Sequence, residues 1–262
     1  MGMNMAKMQE MEALSNNRIV VWVSAGAASA IALKLAIKKY GDRVVAVYCD
    51  TGGEHPDNKR FLADLEIWCD IKIKILKNPK YTDHFDVFRK KKYLGGIAGV
   101  PCTLRLKKRP RQKFEDLSDI QIFGYTAEEK ERAKKFENNN PELKMEWILI
   151  DQDVSKSDCL GLIWRAGIKI PVLYDLGYNH NNCIGCVRGK KGYWNKIRID
   201  FPSAFDEMCK IEREVKYTIL RDADGNKLYL DNLDPAEGNY KEEPAIECGL
   251  GCGIIYNSLE GE

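Results

Sequence analysis

Nine cysteines in 262 residues raise the first chemical question: which of them pack, which hold metal and which react. Cys183 and Cys186 form a C-x-x-C unit in a turn-rich stretch flanked by asparagines and basic residues. Two thiolates at that spacing chelate one metal ion or one edge of an iron–sulfur cluster. The unit does not open a helix after a β-strand, which argues against a redox dithiol of the thioredoxin type. Buried structural thiols are the plain alternative. A metal needs further ligands, and Cys102, behind Pro101, is the best third candidate. Cys248 and Cys252 stand among glycines near the C-terminus, where they are either reactive thiols on a swinging segment or incidental residues of a frayed end. Cys49, Cys69, Cys159 and Cys209 fall in strand and helix patterns and read as packing residues.

The second chemistry is anion binding. Ser24-Ala25-Gly26-Ala27-Ala28-Ser29 is a loop of small residues between an apolar run and a helical pattern. A strand, a small-residue turn and a helix N-terminus together direct backbone N–H groups and about half a positive charge at an incoming phosphate. Ser24 and Ser29 add hydroxyls; a merely tight turn is the plain alternative. The loop is neither the G-K-[ST] phosphate loop nor the G-x-G-x-x-G dinucleotide fingerprint. Asp50-Thr51-Gly52 ends the second strand, at the carboxyl edge where open α/β sheets bind ligands, and His55 lies just after it. Gly124-Tyr125-Thr126 follows a later strand, ahead of Glu128, Glu129 and Arg132. Two basic runs, 105–113 and 188–198, are either solvated faces or phosphate contacts, the second reading resting on Arg105, Lys107, Lys108 and Arg188. His84 and His180 carry no signal.

These residues need a scaffold, and the pattern supplies one. Ile19–Val23 is a buried strand, followed by a helix that Gly41 ends. Residues 44–48 make a second strand, 57–68 a helix, 71–76 a third strand, 120–123 and 147–150 two more. The β-α-β-α-β order predicts an α/β fold with a doubly wound parallel sheet. Ser155 caps a helix through Arg165 that Gly167 stops. After Pro171 turn residues, cysteines and basic residues mix, with an amphipathic helix over 205–215 and a hairpin at Asp224-Gly225. Three regions result: an N-terminal arm or helix over 1–17, a nucleotide-binding α/β domain over 18–178, and a cysteine-rich C-terminal extension and tail over 179–262.

The net charge of +2 is the near-cancellation of 41 basic and 39 acidic residues, so bulk charge selects no partner. No apolar run approaches the ~20 residues that span a bilayer, and residues 1–17 lack the apolar segment of a secretory signal. A cytoplasmic, membrane-free protein with reduced thiols is therefore expected. The oligomeric state, a homo-oligomer included, stays open.

The loop over 24–29 resembles the PP-loop of the ATP pyrophosphatase superfamily, usually S-G-G-x-D-S, and of its phosphoadenosine-phosphosulfate (PAPS) and adenylyl-sulfate reductase branch, matching either form imperfectly. Ala28 stands where the ATP-cleaving form has aspartate, and Ala25 replaces the first glycine. The D-T-G turn, the Gly124 segment (Tyr125 in place of arginine) and Ile170-Pro171 through Tyr178 into C-x-x-C are similar to the family's motifs. Glu247-Cys248-Gly249-Leu250 resembles its E-C-G-L-H, with Gly251 in place of the histidine. The resemblance implies an adenine nucleotide alpha hydrolase-like fold and a sulfonucleotide bound by Ser24, Ala25, Gly26, Ala27, Ser29, Asp50, Thr51, Gly52, Gly124, Tyr125, Arg105 and Lys108. It implies Cys248 as nucleophile, with Cys252 as resolving thiol or cluster ligand, and a [4Fe–4S] cluster on Cys102, Cys183 and Cys186. Pro101 stands where the family has a further cysteine, so either Cys252 completes the set or one iron stays open. Zinc is the alternative metal. A reductase also implies a thioredoxin-type reductant. The rival activity is an ATP-dependent iron–sulfur sulfurtransferase acting on tRNA or DNA, and a third reading is a nucleotide-binding protein without turnover.

Overall fold

The computed structural model describes residues 17–96 and 99–246. Strands β1 (Ile19–Val23), β2 (Val44–Asp50), β3 (Ile73–Lys77), β4 (Ile120–Phe123) and β5 (Lys144–Glu146) form one parallel sheet in the order β3-β2-β1-β4-β5. Ile19 of β1 lies opposite Val44 on one side and Ile120 on the other. Every residue of β1 is buried, as a continuous apolar run dictates for a strand covered on both faces. The strand order proceeds outward in opposite directions from β1 and β4. Successive loops at the carboxyl ends of these two strands therefore diverge, and such a switch point leaves a crevice for a ligand.

The chain divides into two compact units. The first comprises 17–48, Asn58–Leu76 and Phe114–Pro171. Its core joins β1 and β2 to the helix Ala27–Tyr40, where Ala30, Ala32 and Ala36 are fully buried. Alanines at these positions let the helix pack close to the sheet. Gly41, at φ +57°, ends that helix, as its sequence predicts. Trp22 donates to Gln121 across β1 and β4 at 2.6 Å, so the buried indole N–H is satisfied.

The second unit comprises Cys49–Asp57, Lys77–Lys113 and the described residues from Val172 onward. The helices Lys191–Asp200 and Pro202–Val215 carry its core, with Trp194, Met208 and Ile211 inaccessible to solvent. Arg89, on the helix His84–Lys91, pairs with Glu207 at 2.6 Å and Glu214 at 3.0 Å. The predicted hairpin forms, with Leu220 opposite Leu228. Residues 172–246 thus build one unit together with two earlier segments. Of the expected arm over 1–17, all but its last residue lies outside the described residues.

Two elements differ from the sequence expectation. The apolar stretch at 147–150 is not a strand: the strand is Lys144–Glu146, and Ile148–Asp151 is a helical turn that buries Ile148 and Leu149 in the first core. A short apolar run fits a buried strand and a buried helical turn equally well. Residues 105–113 are a solvated face only at Arg109, Gln112 and Lys113. They lie in a π-helical turn, Thr103–Lys108, that runs into the helix Arg109–Phe114, and Arg105, Lys108 and Arg111 are buried.

Candidate functional site

In the first unit the loop over 24–29 emerges from β1 and opens the helix Ala27–Tyr40. Ser29 is its hub. Its hydroxyl oxygen accepts from the Ser24 backbone N–H at 2.9 Å and from the Ser24 hydroxyl at 3.1 Å, and its own proton goes to the Gly26 carbonyl at 3.0 Å. Ala25 is fully buried and held at φ +55°, a left-handed conformation that costs an alanine roughly 1–2 kcal/mol. The helix starts at Gly26 with no side chain capping it and no acidic residue in its first turn. Its positive end therefore remains uncompensated by any side chain of the first turn.

Gly124, at the end of β4, fixes where this loop lies. A β-carbon there would stand 2.6 Å from the Ser29 nitrogen and 2.7 Å from the Ser29 α-carbon. Only a residue without a side chain lets the two turns flanking the switch point meet. The Tyr125 ring is buried with Phe123, Phe136 and Trp147, and the Arg132 guanidinium covers it at 4.8 Å. Thr126 and Glu129 form a capping box for the turn that follows.

In the second unit Asp50 accepts from Gly52 N–H at 2.8 Å and pairs with Lys77 at 3.1 Å. Thr51 is buried, and its hydroxyl lies 3.1 Å from the Cys183 sulfur while accepting from Gly53 N–H at 3.3 Å. Ile184 N–H donates to the Gly53 carbonyl at 2.9 Å, so the D-T-G turn and the C-x-x-C loop are joined twice. Cys186 N–H donates to the Tyr193 hydroxyl at 2.9 Å. Cys183 and Cys186 are buried, and Cys102 packs against the apolar cluster that contains Cys186. The pairing of Thr51 with Cys183 was not legible in sequence.

Among the described residues no group of three or more His, Cys, Asp or Glu side chains is arranged to hold a metal ion. Cys248 and Cys252 lie outside the described residues. The packing cysteines are as expected: burial pushes the thiols of Cys49, Cys159 and Cys209 up to about 12 and that of Cys69 up to about 11, which keeps them protonated.

The basic segment of the second unit is built inward. Lys107 pairs with Glu54 at 3.7 Å, Asn78 donates to the Arg105 carbonyl at 2.7 Å, and the Cys49 thiol lies 3.8 Å from the Lys107 carbonyl. Widened π-helical turns recur at functional sites, because they re-aim side chains that a regular helix would turn away. Arg188, in the second basic run, is exposed. His55 lies edge-on to Phe201 at 5.9 Å, and the His84 ring lies tilted against Phe85 at 4.0 Å.

A five-stranded parallel sheet with a small-residue phosphate loop at its switch point defines a nucleotide-binding enzyme domain of the PP-loop ATP pyrophosphatase superfamily. The chain belongs to the phosphoadenosine phosphosulfate reductase domain family, whose model matches residues 18–190. It is also similar to an uncharacterized protein of Methanocaldococcus jannaschii, 25% identical over 209 residues, which cover 75% of this chain and 42% of that protein. The match thus spans less than half of that relative's length. Among the described residues no helix is long and apolar enough to cross a membrane.

Proposed function

We propose that this chain is a sulfonucleotide reductase-like enzyme, binding PAPS or adenylyl sulfate through the loop over 24–29 and releasing sulfite through Cys248. The observation that carries the reading is the opening of the helix Ala27–Tyr40, without an acidic residue or a capping side chain. Such a terminus suits an already activated anion better than a nucleotide whose cleavage needs a metal-holding carboxylate. Ser24 and Ser29 add hydroxyl donors. Asp50, Gly52, Arg105 and Lys108 belong to the same proposal as nucleotide contacts, and Tyr125 serves it as a packing residue.

In this reaction the Cys248 thiolate attacks the sulfate sulfur and forms an S–S bond. The bond between sulfur and the bridging oxygen breaks, and the nucleotide leaves as its phosphate. A second thiol, from a thioredoxin-type dithiol or from Cys252, then attacks Cys248 and expels sulfite. The resulting disulfide holds the two electrons' worth of oxidation. No step is routed through a metal. A [4Fe–4S] cluster, or zinc, on Cys102, Cys183 and Cys186 is a separate part of the proposal, needs a further ligand such as Cys252, and would supply positive potential. Iron and zinc counted in anaerobically purified protein test it.

Substrate assays decide the activity. Sulfite release from PAPS or adenylyl sulfate with a dithiol donor, lost in C248S, is the expected result. Pyrophosphate or AMP formed from ATP only with tRNA or DNA present would replace this reading with the sulfurtransferase. Nucleotide binding without any turnover would leave a binding protein.

A further inference from the structure

The segment Lys77–Lys113 of the second unit carries twelve basic residues against two acidic ones. Four of them in a row, Arg89 to Lys92, stand where two helices end together. The helices His84–Lys91 and Pro202–Val215 pack side by side, tied by Arg89 to Glu207 and Glu214. Their first residues line one open pocket of about 450 Å³, and beyond their last residues the rings of Tyr93 and Tyr217 stand 6.5 Å apart. The two helices therefore point the same way. Each is followed by the same pair, Lys92-Tyr93 and Lys216-Tyr217, with the lysine exposed. Both lysines are held in the left-handed conformation, at φ +49° and +57°, while their N–H groups close the last turns on the Arg89 and Glu212 carbonyls. Glycine is the residue that takes this position without strain.

A lysine at a helix end ordinarily answers the negative pole of the helix. That need is already met in the last turns, by Arg89, Lys90 and Lys91 on one helix and by Arg213 on the other. The two strained lysines are additional charge, kept at the expense of stability. Lys227, on the hairpin, donates to the Lys216 carbonyl at 2.9 Å and brings a third ammonium to the same end. Nearby carboxylates are engaged elsewhere: Glu214 is held by Arg89, and Glu212 is buried on two backbone N–H groups. The two tyrosine rings are half-buried and tilted 48° to each other. Their hydroxyls converge, since a β-carbon at Gly96 would stand 2.8 Å from that of Tyr93 and 3.9 Å from that of Tyr217.

We propose that this end of the second unit is a binding surface for single-stranded nucleic acid, with Lys92, Lys216 and Lys227 on phosphates and Tyr93 and Tyr217 as platforms for bases. A flexible polyanion with open π-faces matches both parts, because ammonium groups meet phosphates and sequence-tolerant stacking meets rings. A duplex hides its base faces, and an acidic peptide or a lipid headgroup has no base to stack. The surface uses no residue of the sulfite-releasing chemistry and does not rest on that reading.

Fluorescence anisotropy of a labelled oligouridylate of about 12 nucleotides, with the full chain, tests the surface. K92G/K216G removes two phosphate contacts and relieves both strained positions. It should melt at or above the wild-type temperature, yet bind at least about tenfold more weakly near 0.1 M salt. The slope of log affinity against log salt should fall by about 1.4, as two lost contacts to a single strand require. Y217A should weaken binding about tenfold with the salt slope unchanged, and Y217F should retain it. Oligothymidylate bound as tightly as oligouridylate, or more so, supports the surface equally and points to DNA as the natural source. Equal affinity for a duplex of the same length, equal competition by polyglutamate, or an affinity untouched in K92G/K216G overturns the proposal. Such binding by a protein that releases no sulfite leaves the surface standing and removes the proposed reaction; sulfite release without it does the reverse.

Discussion

Single atoms decide the phosphate loop. Ser29 ties three groups of the turn with one hydroxyl, and Gly124 supplies the space that this arrangement needs. In G124A the new methyl meets backbone atoms, which cannot rotate aside, so the loop itself must shift. The expected outcome is at least a tenfold loss of affinity for adenosine 3′,5′-bisphosphate by calorimetric titration, about 1.4 kcal/mol, with a fall in melting temperature. Unchanged affinity would remove the loop as the phosphate seat. The loop residues were legible in sequence because they are contiguous and follow a strand. Thr51 was legible only as part of a turn; its partner Cys183 is 132 residues away, and no local pattern encodes such a meeting. The packing of the Tyr125 ring with Phe123, Phe136 and Trp147 was likewise not legible, since those partners come from separate elements.

Elements follow their patterns where burial is simple. β1 and β4 run over the residues that their apolar sequences predict, and Ser155 caps the helix Lys156–Arg165 through a capping box. The helix Lys191–Asp200 was unreadable because the carboxylate at its start comes from Glu243, far along the chain. Glu212 does similar work on the helix Pro202–Val215, accepting from Ile219 N–H and Leu230 N–H, both at 2.7 Å, which fastens the hairpin and the turn after it. Burial pushes its carboxyl up to about 7, against the opposing effect of those two donors. A carboxyl whose folded value lies above its unfolded one stabilises fully below the unfolded value, near 4.5, and loses that contribution as pH rises through about 7. The stability advantage of the wild type over E212Q is therefore expected to shrink by roughly 1–3 kcal/mol between pH 5 and pH 8, measured by denaturant unfolding at each pH. A constant difference would show that Glu212 does not titrate in that window.

At the scale of the whole molecule, the sheet order was readable in kind, since alternating strands and helices leave few parallel topologies. The two units were not, because each is assembled from separate stretches of sequence and no single cut divides them. The burial in the basic segment was hidden as well: composition assigns Arg105, Lys108 and Arg111 to a surface, and the folded chain buries them. A ligand that binds only the folded protein stabilises it by mass action, about 2.7 kcal/mol at a hundredfold excess over the dissociation constant. Adenosine 3′,5′-bisphosphate is accordingly expected to raise the melting temperature at micromolar to millimolar concentration, and adenosine alone to do so much less. Equal protection by both would place the recognition in the base and not in the phosphate loop.

The Glu243 carboxylate also sets an order of events during biosynthesis. The thiols at 183 and 186 leave the ribosome well before Glu243 does, and until that side chain arrives the helix behind them has two exposed amide donors at its first turn. Nascent chains halted short of Glu243 should therefore present both motif thiols to alkylating reagents, and chains released beyond it should shield them.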